Sequence, residues 1–417
     1  MKKLNILIVV LGMLGAFAHG IKIEDQELFG CYKEEEGSLD LRLLNRRGVR
    51  FTAKDIKAIV KFCLENGVER LCFGLSISIP GVKRIPELFI HPNLIMILNL
   101  NYSNIGDEGV RKLSEVLKGN NTLTVLDLYS NKIGDKGAEF IAEILMANTT
   151  LKELDLGYNR IGDDGMKLIS ESLIVNTTLE VFNLDHNRIN DEAIVSLRDA
   201  LNDGGTLTSL NLSDNPIGDE NAKKFSEVLV INSTLTDLNL SQAKIGAEGA
   251  KSIAETLMVN QTLTSLDLRE NSIGNEGAKW ISKALNENST LVKLCLFHNI
   301  IRAAGAKFIA EALKVNSTLT DLCLSWNHLF DAGTIWISEA LMVNTTLTRL
   351  ILRQNRICAA GTKELCKALE KNTTLTVLHL DGNPIWIEAA LGISESLAKN
   401  TTLTDIKCPN LESVPEQ

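Results

Sequence analysis

The sequence predicts an α/β solenoid, a horseshoe of stacked strand–helix units with a parallel sheet on the concave face and helices on the convex face. Three observations carry that expectation. Leu123, Leu126, Leu128, Asn131, Ile133 and Gly134 spell L-x-x-L-x-L-x-x-N-x-I-G, and the same pattern returns 28 residues later as Leu151, Leu154, Leu156, Asn159, Ile161 and Gly162. The opening position recurs every 28 residues from Ile95 through Leu207 and Leu319 to Leu403, eleven steps without an insertion or deletion. Within each unit the hydrophobic period changes halfway, from strand-like alternation to a helical stripe.

The elements follow in chain order. Lys2 and Lys3 precede an uncharged apolar run, Ile6 to Ala18, that closes on Ala16-Phe17-Ala18. A basic start, a short apolar stretch and an A-x-A end are the marks of a secretory signal peptide, with cleavage expected after Ala18. The run is shorter than the roughly 20 residues of a membrane span. Residues 19–94 are less regular: Leu39-Asp40-Leu41 and Val68-x-x-Leu71-x-Phe73 read as decayed strands, with a helix built on Ile56, Ile59, Val60 and Cys63 between them. They are expected to cap the open apolar end of the stack. Residues 95–402 hold eleven units. In each, the L-x-L core is a strand with alternate side chains inward. The stretch after it puts Ala138, Ile141, Ala142 and Leu145, and their equivalents, on one helical face. Asp135 and Asp163 stand at helix starts, where a negative charge suits the dipole. Asn148 and its equivalents stand at helix ends, a place that tolerates left-handed backbone. Residues 403–417 supply a closing strand and a tail.

One column of the repeat is structural. Nine of eleven units carry asparagine, from Asn131 to Asn383, with Ser103 and Ala243 in the other two. An inward amide there is expected to satisfy backbone groups between neighbouring units.

The unit with its Ile273-Gly274-Asn275-Glu276-Gly277-Ala278-Lys279 helix start, matched at Ile105-Gly106-Asp107-Glu108-Gly109, resembles the ribonuclease-inhibitor-like subfamily of leucine-rich repeats. Relatives of that kind include ribonuclease inhibitor, the sensing arrays of NOD-like receptors, Ran GTPase activators and effectors of intracellular bacteria. The resemblance implies binding of a protein along the concave face or a rim. Beside the signal peptide, it looks most like the bacterial effectors.

Composition agrees with a folded, exported chain. Of 417 residues, 45% are apolar and 23% charged, which excludes wholesale disorder. A net charge of −9 removes the electrostatic basis for a general nucleic-acid binder. The chain is expected to be a monomer with no membrane span once the signal is removed.

No catalytic signature appears: there is no H-E-x-x-H, no G-x-S-x-G and no Walker loop. The chain is therefore expected to be non-enzymatic, with no catalytic residue, cofactor or metal. Asn-x-Ser/Thr recurs from Asn120 to Asn400 in the 28-residue register, so it belongs to the repeat turn. Cys295 and Cys323 are register-equivalent on adjacent strands, facing outward at about 4.8 Å, within reach of a disulfide in an oxidising compartment.

The expected partner site lies in the outward columns of the units. Phe297, His298, Trp326, His328, Arg353 and Arg356 form an aromatic, histidine-rich and basic group, and exposed aromatics and arginines are what hot spots are made of. Tyr129, Asp155 and Tyr158 form a second, acidic and aromatic group, flanked by Tyr102, Asp127, Glu153, Asp185 and His186. The loop position after the repeat isoleucine loses its glycine at Arg302, Phe330, Cys358 and Trp386. The leading expectation is an exported protein-interaction scaffold with an unidentified protein partner on the concave face. The alternative is a regulator of an enzyme, acting as a ribonuclease-inhibitor-like or GTPase-activator-like protein.

Overall fold

The computed structural model describes residues 32–33, 38–41, 53–66, 68–72, 95–202 and 205–408. The expected signal segment 1–18, Cys31 and Phe73 lie outside them. The chain divides into two compact units, Met1–Leu207 and Thr208–Gln417.

In the first unit the described strands are β1 (Tyr32–Lys33), β2 (Ser38–Asp40), β3 (Arg70–Cys72), β4 (Ile97–Asn99), β5 (Val125–Asp127), β6 (Glu153–Asp155) and β7 (Val181–Asn183). The described helices are α1 (Ala53–Asn66), α2 (Gly106–Leu117), α3 (Asp135–Ala147), α4 (Asp163–Val175) and α5 (Asp191–Asn202). β1 pairs antiparallel with β2, and the other pairs are parallel, with Leu39, Leu71, Leu98, Leu126, Leu154 and Phe182 in one register. The decayed strands of the N-terminal region thus continue the lattice of the regular repeats.

The second unit carries β8 (Ser209–Asn211), β9 (Asp237–Asn239), β10 (Ser265–Asp267), β11 (Lys293–Cys295), β12 (Asp321–Cys323), β13 (Arg349–Ile351), β14 (Val377–His379) and β15 (Asp405–Lys407). Between them run α6 (Gly218–Leu229), α7 (Ala247–Leu257), α8 (Gly274–Glu287), α9 (Ala303–Leu313), α10 (Phe330–Leu341), α11 (Ala359–Leu369) and α12 (Ile387–Lys399). All its described strand pairs are parallel.

The parallel strands are only three residues long because most contribute a single inward residue to the core. Leu266, Leu294 and Leu322 are at most 2% exposed, while their neighbours face solvent in part. The helices bury the expected stripe: Ala138, Ile141, Ala142 and Leu145 are all buried. Burying a leucine contributes roughly 1.5–3 kcal/mol, so each unit is stabilised chiefly by neighbours that complete its core.

Two asparagine ladders join the units. Asn327 donates from Nδ2 to Leu296 O (2.8 Å) and Leu324 O (3.0 Å), and its Oδ1 accepts from the N–H groups of Asn299 (3.0 Å) and Ile301 (2.9 Å). One amide thereby closes four backbone groups in two adjacent units. Where Ala243 replaces the amide, the Ile217 N–H turns instead to Asn215 O at 2.8 Å. The second ladder lies at the helix ends. Asn316 donates to Leu285 O of the preceding unit (2.7 Å) and accepts from the Thr318 and Leu319 N–H groups (3.1 and 2.8 Å). These residues do not use the left-handed backbone that a helix end tolerates; Asn148 is extended at φ −83°, ψ 131°. The extended form places the amide inside the stack rather than at its surface. Eight of the ten helix-end Asn-x-Ser/Thr asparagines are therefore buried at 3–7% exposure, which closes those eight to glycosylation in the folded state.

The helix-start acids also act across units. Asp135 Oδ1 accepts from the Gly162 and Gly165 N–H groups, 2.7 and 3.2 Å away, so it caps the helix of the next repeat. A Cβ on Gly165 would stand 2.6 Å from that carboxylate and 2.8 Å from Ala138 Cβ, which explains the glycine.

In the second unit this capping alternates. Asp219, Asn275 and Asp331 cap α7, α9 and α11, through the N–H groups of Gly246 and Gly249, Arg302 and Gly305, and Cys358 and Gly361. The intervening units have Ala247, Ala303 and Ala359 at the equivalent place. α6, α8 and α10 open on a left-handed residue, Gly218 (φ 69°), Gly274 (φ 62°) and Phe330 (φ 55°), whereas the last helix, α12, follows Trp386 in extended backbone (φ −81°). A sequence of uniform 28-residue period thus folds here with a two-repeat structural period.

Asn327→Ala should cost ~2–4 kcal/mol, since it leaves buried backbone groups unpaired. Asp331→Ala should cost about 1 kcal/mol, the usual scale of a lost helix cap. Urea denaturation of both variants checks the order.

Candidate functional site

The outward columns have a backbone geometry that composition does not reveal. The eighth residue of every unit sits in the left-handed region, from Tyr102 (φ 55°) through Tyr158 (φ 55°), His186 (φ 51°), His298 (φ 51°) and Trp326 (φ 56°) to Gly382 (φ 72°). There the chain leaves the strand, and the N–H bonds across to the next unit, as Trp326 does to Arg353 O at 2.8 Å. Tyr158, His298 and Trp326 among the predicted anchors occupy this column, at the exit of their strands, and Tyr129, Phe297 and Arg353 stand one residue before it.

In the first unit the structure assembles a continuous aromatic ladder. Tyr102 meets Tyr129 edge-on at 5.5 Å, Tyr129 lies 5.7 Å from Tyr158, and Tyr158 stacks on His186 at 4.6 Å. Tyr158 is half exposed. Asp155 lies beside the ladder, with Oδ1 accepting from the Gly157 N–H at 2.8 Å. Burial raises the Asp155 carboxyl, opposed by that backbone bond and a hydrogen bond from Asn183. Tyr129 is pushed up to about 12, first by burial and then by the negative charge of Asp185.

In the second unit the six predicted residues resolve into three settings. Phe297, His298 and Trp326 form one cluster, each pair of ring centres 6.1–6.3 Å apart. His328 belongs instead with Phe330, at 6.2 Å, and the Arg356 guanidinium lies 5.7 Å over the Phe330 ring. Desolvation lowers the His328 imidazole, with Arg356, Arg302 and His298 acting in the same direction. Arg353 pairs with Asp381 at 2.9 Å. Phe330 stands at a left-handed position that Gly218 and Gly274 fill in equivalent units, yet it remains 41% exposed. A bulky residue at positive φ costs on the order of 1–2 kcal/mol, and such strain gathers at working surfaces.

Beside the Phe297 cluster lies a basin of about 630 Å³ on the sheet face. Its walls include Arg269, Lys293, Arg349, Arg353 and Lys407 against Asp267, Glu270 and Asp321, a positive balance in a chain of net charge −9. Arg269 and Lys293 were not among the expected site residues. Their signal was present in the third and seventh positions of neighbouring units, which read as a column only once the sheet is formed. Trp280 and Trp336 lie on helices under lysines, with Lys251 Nζ 4.9 Å from one ring and Lys307 Nζ 4.8 Å from the other. Cys295 and Cys323 are free thiols at the floor of the basin.

A family model described as a leucine-rich repeat matches residues 91–114, 119–142, 147–170, 175–197, 206–226, 232–254, 259–282 and 371–385. This is a leucine-rich-repeat protein. A chain from the crystal structure of the Rad7 and Elc1 complex in yeast aligns over 93% of this chain and 90% of its own length, with a TM-score of 0.54 and 15% identity. That likeness is one of fold: an α/β solenoid of parallel strands and alternating helices. The actin-binding site 2 of leiomodin-1 is 26% identical over 36% of this chain and 87% of its own, with a TM-score of 0.32. The comparison with curated proteins returned no significant match. The repeats mark the chain as a protein–protein interaction scaffold, a role that the fold typically fills without catalysis. Among the described residues no helix is long and apolar enough to cross a membrane.

Two outcomes are expected. Tyrosinate absorbance should show a phenol ionising near 12 that disappears in Tyr129→Phe. Because the folded value exceeds the ordinary 10.0, its contribution to stability is complete below pH 10 and lost toward pH 12. Phe330→Gly should leave stability unchanged or raise it by up to ~1 kcal/mol, measured by chemical denaturation, as the left-handed strain is relieved.

Proposed function

We propose that the protein is an exported, non-enzymatic scaffold that holds a protein partner against the sheet face, which is concave in a solenoid of this kind. The observation that carries this reading is the Phe297–His298–Trp326 cluster. A half-exposed tryptophan beside a phenylalanine gains nothing from water, whereas a partner would desolvate both. Arg353 and Arg356 add polar contacts, and His328 orients with Phe330 at the loop edge. The Tyr129–Asp155–Tyr158 ladder supplies a second contact, suited to a cationic side chain by its aromatic faces and neighbouring carboxylates.

Export rests on the N-terminal Lys2–Ala18 pattern, which lies outside the described residues. Together with the ribonuclease-inhibitor-like repeat, it favours a bacterial effector whose target is a host protein. The alternative is a regulator of an enzyme, ribonuclease-inhibitor-like or GTPase-activator-like.

Affinity capture with residues 19–417 from host and envelope extracts tests the assignment. The Trp326→Ala/Arg353→Glu double variant should bind the captured partner at least ~2 kcal/mol more weakly, the usual scale of a hot-spot loss, with an unchanged denaturation midpoint. Full affinity in the folded double variant removes the site from this face. Assays of ribonuclease or GTPase turnover with and without the protein separate the regulatory role from passive binding.

A further inference from the structure

Cys295 and Cys323 end β11 and β12 and are directly opposed in parallel register. Both thiols are partly accessible, at the floor of the basic basin. In-register neighbours on adjacent strands stand about 4.8 Å apart, inside the ~4.4–6.8 Å Cα window of a disulfide. The two residues face each other in the sheet register, and Cys323 Sγ lies 3.7 Å from Ser325 Oγ. Arg269, Lys293 and Arg349 surround the pair, partly offset by Asp267 and Asp321. Cys63 and Cys366, by contrast, are buried in the core.

We propose that Cys295 and Cys323 form a reactive dithiol site for anionic low-molecular-weight disulfides of the glutathione class. The Cys323 thiolate attacks one sulfur of glutathione disulfide; a Cys323–glutathione disulfide forms, the original S–S bond breaks, and one glutathione thiolate leaves and takes a proton. Cys295 then gives its proton to solvent and attacks Cys323 Sγ, expelling the second glutathione. Two protein thiols are oxidised to one cross-strand disulfide, and one glutathione disulfide is reduced to two glutathiones. The cationic walls favour an anionic reagent over a cationic one.

The chemistry assigns the order of attack. The facing Cys295 thiol lowers the Cys323 thiol, helped by Ser325 and Arg269 against the cost of burial. The facing Cys323, burial and the Asp267 charge push Cys295 up. Cys358, raised by burial and Asp331, and Cys408, raised to about 11 by burial and Asp381, are internal references.

The test treats the full reduced chain with glutathione disulfide, quenches by alkylation and maps the cysteines by mass spectrometry; it needs no partner, so it stands or falls apart from the proposed function. Cys323 should acquire glutathione at least ~10-fold faster than Cys358 or Cys408 at pH 7, as expected of a thiolate beside protonated thiols. A Cys295–Cys323 linked peptide should follow. In Cys295→Ser the mixed disulfide at Cys323 should persist. Cationic cystamine should react more slowly than glutathione disulfide at low salt, with the gap closing as salt is added. Equal rates at Cys323 and Cys358 in the unmutated chain, or faster reaction with cystamine, would overturn the site. So would a stable mixed disulfide that Cys295 never resolves.

Discussion

The buried side-chain amide is the interaction on which the rest of the structure depends. A three-residue strand and a short helix cannot satisfy the loops between them from their own backbone. Asn327 and its equivalents close those groups in two units at once, and Asn316 and its equivalents do so at the opposite turn. Because each amide reaches into a neighbour, the hydrogen bonding of one repeat is incomplete until the next has folded. The leucine core follows the same rule: every inward side chain is covered by residues 28 positions away. Polar satisfaction and apolar burial therefore select the same stacking register.

Much of this was legible from the amino acids. The L-x-x-L-x-L alternation places the buried leucines, and the Ala138–Leu145 stripe identifies the helix face, because both depend only on local period. The asparagine column was readable as structural for a similar reason: a polar residue recurring among inward positions must have partners there. The helix-end asparagines misled, since a residue type compatible with left-handed backbone says nothing about whether the backbone adopts it. Their partners, such as Leu285 O for Asn316, lie 31 residues away and appear only when the units stack. The two-repeat alternation in the second unit also escaped notice, although Asp219, Ala247, Asn275, Ala303, Asp331 and Ala359 spell it. Constant repeat length conceals a change in which neighbour caps a helix.

The binding surface was legible as a set of side chains but not as an arrangement. Phe297, His298 and Trp326 share a cluster, while His328 and Arg356 gather around Phe330 and Arg353 turns toward Asp381. The separation arises because seventh, eighth and tenth residues leave the strand at different points of a left-handed turn. The same turn makes the eighth column the most prominent place on each repeat, so a chain that needs aromatic contacts puts them there despite the backbone strain. The aromatic ladder of the first unit takes Tyr102, Tyr158 and His186 from the same column and Tyr129 from the one before it, with neighbouring rings limiting one another's freedom before any ligand arrives.

Cross-repeat capping gives the second unit a grammar of pairs. An Asp or Asn at one helix start completes the next helix, whose own start carries alanine and is followed, as far as α10, by a left-handed opening. Removing or duplicating a single 28-residue module would set two uncapped starts, or two left-handed openings, side by side. Removing or duplicating two modules would leave every junction as it was. The natural unit of gain and loss in this part of the array is therefore the repeat pair, and a lineage that lengthens or shortens it without loss of stability should do so in steps of two.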